Sequence, residues 1–144
     1  MKLTNTVTIA RPPAVVFAYL ADFENVPRWN YAIAETRKVT PGPVGVGTGY
    51  RQVRTGPSRS EESFEVVAFE PEHRLAIHGQ VGPLSGDIAY QLDDIGQATV
   101  LTNTCDLHAT GPLRVAAPLA TRSVRSAVAA NLNVLTQILE GRHD

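Results

Sequence analysis

Sulfur is nearly absent from this chain, which has one methionine and one cysteine, Cys105. An intramolecular disulfide and a cysteine-rich zinc site are therefore both excluded, and a reducing compartment is the expectation. Excess charge of either sign is lacking too. Thirteen basic against 14 acidic residues leave a formal net charge of −1, so no global basic field exists to hold nucleic acid or an anionic membrane. No apolar run is long enough to span a bilayer, and Thr4, Asn5 and Thr6 interrupt the start of the chain where a secretory signal needs its apolar stretch. These absences point to a cytoplasmic protein with no nucleic-acid partner and no stable membrane insertion. His73, His78, His108 and His143 have no metal-ligand spacing, so no metal is expected.

What the chain does have is 144 residues with 43% hydrophobic content, enough for a single domain, 1–144, with a real core. Leu3, Asn5, Val7 and Ile9 alternate with Lys2, Thr4, Thr6 and Thr8, the period-2 pattern of a half-buried strand. Arg11 precedes a proline and is pushed towards an extended conformation, while Pro12-Pro13 suits a helix start, where missing N–H groups cost nothing. Val16, Phe17, Leu20 and Ala21 then recur at helical spacing. That helix should stop near Asp22, with a short second helix or turn over 22–31 around Pro27.

From Ala32 the chain is a succession of extended runs at 32–39, 50–55, 63–69, 74–79, 84–92 and 98–107. Gly45-Val46-Gly47-Thr48-Gly49, Gly56-Pro57-Ser58, Glu70-Pro71-Glu72, Gly82-Pro83 and Asp93-Asp94-Ile95-Gly96 separate them. Breaks about every 8–12 residues, with connections too short for crossover helices, predict an antiparallel meander. The glycine-rich run precedes a strand, where a dinucleotide motif would follow one, and reads as a turn. After Gly111 the period changes: Val124, Ala127, Val128, Asn131, Leu132, Leu135, Ile138 and Leu139 continue one helical stripe. This predicts a long amphipathic helix, kinked or split at Pro118 and ending near Gly141. The part after Pro118 spans roughly 35 Å at the usual rise per residue.

The expected architecture is α+β, a curved antiparallel seven-stranded sheet wrapped around a long C-terminal helix, with two short helices after the first strand. The residues Ile9-Ala10-Arg11-Pro12-Pro13-Ala14-Val15-Val16-Phe17, Pro27-Arg28-Trp29, Gly45-Val46-Gly47-Thr48-Gly49-Tyr50-Arg51 and Phe69-Glu70-Pro71-Glu72-His73-Arg74-Leu75 carry a resemblance. With Leu132 to Glu140 they span nearly the whole chain. The sequence resembles the START-like superfamily (SRPBCC) of polyketide cyclase/dehydrases and lipid-transfer proteins, which share the helix-grip fold. The resemblance implies a cavity between sheet and helix that takes a small hydrophobic or amphipathic molecule, with no cofactor. Family cyclases use an inward arginine to polarise a polyketide carbonyl. Arg51 and Arg54 have opposite parity, so at most one of them can play that part.

Strand parity nominates the cavity wall. Ile88, Tyr90 and Leu92 share a face, as do Leu101, Asn103, Cys105 and Leu107, and their apolar members turn that face inward. Leu75 and Ile77 follow the same logic, and Tyr50 and Gln52 are taken inward on the aromatic alone. The parity of 63–69 stays open. Val124, Val128 and Leu132 of the helix stripe supply the opposite wall. Trp29 either stacks on a flat ligand at the cavity mouth or plugs one end of the core. Asn103 bonds either a ligand or backbone across the sheet. Cys105 and His108 lie on opposite faces of one strand, so they do not form a nucleophile–base pair. Arg51, Arg54 and Arg59 opposite Glu61, Glu62 and Glu65 read as a solvated hairpin.

The function expected is binding of a small hydrophobic or amphipathic molecule, as carrier or sensor, by a monomer or weak homodimer. The alternative is a cofactor-independent polyketide-type cyclase, aromatase or dehydratase using Tyr50, Tyr90, Asn103 and Arg54. A third class is a regulatory module acting through protein contact. Residues 110–121, apolar but broken by Gly111, Pro112 and Pro118, are expected to gate the cavity.

Overall fold

The computed structural model describes residues 1–56, 58–109 and 117–141, with backbone alone for 117–120. Residues 110–116 of the expected gate lie outside the described residues, and 117–121 are helical. Strand β1 (Lys2–Ile9) leads into helix α1 (Pro13–Ala21), a 3₁₀ turn (Phe23–Asn25) and the single-turn helix α2 (Val26–Trp29). The strands β2 (Ile33–Lys38), β3 (Gly49–Arg54), β4 (Ser60–Glu70), β5 (Arg74–Val81), β6 (Leu84–Asp94) and β7 (Thr99–His108) follow, then helix α3 (Ala117–Leu139). All neighbouring strands are antiparallel in one sheet of order β1-β7-β6-β5-β4-β3-β2. The chain thus has the α+β architecture that its periodicities predict and the helix-grip fold that the resemblance implies.

Local chemistry explains the short helices. Pro12 caps α1 in an extended conformation and Pro13 enters its first turn, where proline needs no donor. Val16, Phe17, Leu20 and Ala21 form its buried face, and the backbone leaves the helical region at Asp22. At the other end of the chain α3 stops before Gly141, whose φ of +73° is the left-handed conformation of a helix terminus. The Ala10 N–H donates to Glu140 Oε2 at 2.7 Å, tying the end of α3 to the end of β1.

Two features bend the sheet. The β4–β5 pairing slips between Val66 and Ala68, a bulge that changes the strand's parity. Glu62, Phe64 and Val66 are buried before it; after it Phe69 turns to the same side, opposite Leu75 and edge-on to Phe17. Further along, Gly79 of β5 and Gly86 of β6 stand opposite each other. A Cβ on Gly79 would lie 2.4 Å from Phe64 Cβ, and one on Gly86 2.0 Å from the Asp106 carbonyl oxygen. Backbone packed this closely admits only glycine and lets the sheet coil sharply.

Among the described residues the core is in two parts. The larger joins α1, the 3₁₀ turn and the sheet to Leu132, Leu135 and Leu139 of α3; the smaller groups Leu3, Leu84, Cys105 and Leu107, with Val124 and Val128 against it.

Candidate ligand-binding cavity

Between sheet and α3 lies a cavity of about 430 Å³ with mainly apolar walls. The β5 and β6 strands contribute Ile77, Gly79, Ile88 and Tyr90, and α3 contributes Val124, Val128 and Leu132. Gly79 and Gly86 present bare backbone to the cavity in the middle of the sheet. Leu20, Phe23 and Trp29 close the end nearest α1; the β5–β6 turn at Gly82-Pro83 and Ser123 of α3 frame the far end.

Of the residues nominated from sequence, Trp29, Gln52, Ile77, Tyr90, Asn103, Cys105, Val124, Val128 and Leu132 line this space. Tyr50 and Leu101 do not. Tyr50 is 2% exposed, stacked on Phe64 with centroids 5.1 Å apart and tilted against Phe23 at 5.0 Å, so those two phenyl rings take the wall positions in its place. Burial, then the charges of Asp22 and Glu24, push the Tyr50 phenol up to about 12. Leu101 is fully buried opposite Leu92 in the larger core. Parity gives the face of a strand but not the depth along it, and the cavity ends one inward step short, at Asn103. Trp29 combines its two readings: it is a core residue, 7% exposed, whose ring also forms cavity wall.

Two hydrogen-bonded polar clusters adjoin the mainly apolar lining, one around Asn103 and one around Glu62. On β6 and β7, Asn103 Nδ2 donates to the Ala89 carbonyl at 3.3 Å and Asn103 Oδ1 accepts from Cys105 Sγ at 3.3 Å. The amide therefore bonds backbone across the sheet while facing the cavity, using one of its two N–H groups and part of its acceptor capacity. Burial pushes the Cys105 thiol up to about 11, and burial, then Cys105 beside it, raises the Tyr90 phenol. Both stay protonated at neutral pH. His108 is exposed, 3.6 Å from Asp106 on the opposite face.

The second cluster corrects the reading of the β3–β4 hairpin. Glu62 is 3% exposed, not solvated. Its Oε2 accepts from Arg54 Nε at 2.7 Å, from the Gly82 N–H at 2.6 Å and from Ser60 Oγ at 3.1 Å; its Oε1 accepts from Gln52 Nε2 at 2.9 Å. Burial alone would raise its pKa, but the hydrogen bonds from Arg54 and Gln52, the Arg54 charge and the Gly82 amide outweigh it and hold the carboxyl below its ordinary range. Register places this cluster, since Gln52 pairs with Glu62 across β3–β4. The signal in the sequence was the shared parity of Glu62 with Phe64 and Val66. Arg51 points outward and is exposed, whereas Arg54 reaches the cavity.

Among the described residues no three His, Cys, Asp or Glu side chains are grouped to hold a metal ion, and no helix is long and apolar enough to cross a membrane.

A long helix gripped by a curved antiparallel sheet above an apolar cavity defines the helix-grip class. Within it, the chain belongs to the family described as polyketide cyclase/dehydrase and lipid transport, which residues 1–140 match. An uncharacterised protein of Mycobacterium tuberculosis is 31% identical over 118 residues, 78% of this chain and 68% of the relative. A Thermus thermophilus protein of known structure superposes with a TM-score of 0.79 at 17% identity, covering 100% of both chains. The Zhui aromatase/cyclase of a Streptomyces species gives 0.79 at 16% identity, over 99% of this chain and 94% of that one. A di-domain aromatase/cyclase, StfQ from the steffimycin biosynthetic pathway, gives 0.80 at 13%, covering 98% of this chain and 51% of its own.

Proposed function

We propose that this protein binds a small hydrophobic or amphipathic molecule in its internal cavity, as a carrier or sensor. One observation carries the reading: an apolar space of about 430 Å³ with few convergent polar groups. Ligand sites typically measure about 300–1,000 Å³ and share that character. Burying an apolar ligand there removes its surface from water, while Asn103, Tyr90, Gln52 and Arg54 offer hydrogen bonds that set its orientation. Trp29, the single tryptophan of the chain, lies on the wall and reports occupancy. Titration with the fluorophore N-phenylnaphthylamine should quench Trp29 emission saturably, and native mass spectrometry of protein purified from its source should show a bound small molecule. Absence of both would refute the reading.

A second reading is favoured by a specific observation. The terminal nitrogens of the Arg54 guanidinium have no hydrogen-bond partner among the described residues, and the group lines the cavity. Hydrogen bonds from N–H groups so placed polarise a ketone carbonyl towards enolisation, the requirement of a polyketide-type cyclase or aromatase. Under this reading the protein speeds cyclisation of a poly-β-ketone, and Arg54→Met abolishes the acceleration while N-phenylnaphthylamine still binds.

A further inference from the structure

Arg54 is the one charged side chain among the described residues that line the cavity. Its side chain is 12% exposed, and the side chain of Glu62 behind it is 1% exposed. The two form a pair of zero net charge that is largely out of water. Every hydrogen bond to the carboxylate comes from the protein side of the wall: Gln52, Ser60, Gly82 and Arg54 Nε. The terminal N–H groups of Arg54 remain for whatever fills the cavity. The other polar side chains of the wall, among them Gln52, Gln80, Tyr90, Asn103 and Asn131, are neutral.

We infer that the cavity selects an electrically neutral ligand whose polar end is a hydrogen-bond acceptor, a ketone, quinone or ester oxygen, and discriminates against carboxylates and other anions. The inference rests on the ligand-binding reading above. A lone guanidinium in an apolar wall would draw in an anion. Here the charge is already balanced, and an anion on the terminal nitrogens would share one guanidinium with the Glu62 carboxylate. Like charges that close repel strongly where water cannot screen them. A neutral oxygen accepts the same charge-assisted hydrogen bonds without that repulsion, and it satisfies donors that an all-hydrocarbon ligand would leave unpaired. Glu62 is thus a positioning residue: it fixes the guanidinium through Nε and cancels its charge.

The test is displacement of N-phenylnaphthylamine by methyl decanoate and by decanoate at mildly alkaline pH, for the wild type and Glu62→Gln. The wild type should favour the ester at least tenfold. The ester's greater apolarity contributes to that ratio, so its change is the decisive readout: in Glu62→Gln the preference should shrink at least tenfold, chiefly through tighter decanoate, because the Arg54 charge is no longer balanced. A folded Glu62→Gln protein with an unchanged ratio overturns the inference. So does a wild type that prefers decanoate, a result that stands whether or not the variant folds. Either outcome leaves the cavity a binding site, whereas failure of N-phenylnaphthylamine to bind the wild type removes the ligand-binding reading and this inference with it.

Discussion

Gly79 of β5 stands directly opposite Gly86 of β6, and neither position has room for a Cβ. Gly86 also has a φ of +152°, which L side chains rarely adopt. Gly86→Ala should therefore lower the unfolding free energy by about 3 kcal/mol or more, from combined backbone strain and a clash with the Asp106 carbonyl. Chemical denaturation measures it; a loss below about 1 kcal/mol would show that the strands separate easily there.

Asn103 has one backbone partner and one thiol partner, so its replacement affects folding as well as binding. Asn103→Leu should cost about 1 kcal/mol of stability, the net worth of a lost hydrogen bond, and should weaken an oxygen-bearing ligand more than a hydrocarbon of the same size. Unchanged stability in the ligand-free variant would mean that the bond to Ala89 contributes nothing.

The Glu62 carboxyl is held below the ordinary value of 4.5, so the folded state takes up that proton less readily than the unfolded chain. Its contribution to stability is complete above the unfolded value and is lost as pH falls through the lower folded one. Stability of the wild type should fall with acidity in that window, and Glu62→Gln should flatten this part of the curve. Parallel acid-denaturation curves for the two proteins would count against the buried carboxylate cluster.

Cys105 carries a thiol raised from 9.0 to about 11 by burial, which leaves about a hundredfold less thiolate at neutral pH than an unperturbed group. Iodoacetamide should label the native protein far more slowly than the denatured one, and saturation with N-phenylnaphthylamine should slow it further because Cys105 lines the cavity. Labelling at the denatured rate would place the thiol in water.

How much of this was legible beforehand depends on whether the information is local. Alternation in β1, the prolines before α1, the turn residues between strands and the helical stripe ending at Gly141 act over a few neighbours, and the element order follows from them. Parity likewise put Asn103 and Cys105 on the inner face and separated Cys105 from His108. The bulge between Val66 and Ala68 has no signature in the side-chain alternation, so the inward position of Phe69 was not readable.

Three-dimensional packing decided the rest. Tyr50 and Leu101 have the right parity but lie too far along their strands, where α1, the 3₁₀ turn and the end of α3 close the core. Gln52, Tyr90 and Asn103 share the cavity wall with Gly79 and Gly86. Glu62 looked like one more hairpin charge, because only the pairing of β3 with β4 and the approach of the Gly82 turn bring Arg54, Gln52, Ser60 and a backbone amide around one carboxylate. A sequence pattern records the face each residue presents to its own strand. The cavity depends on how far apart strand and helix surfaces are held, and that distance is set by contacts between residues remote in the chain.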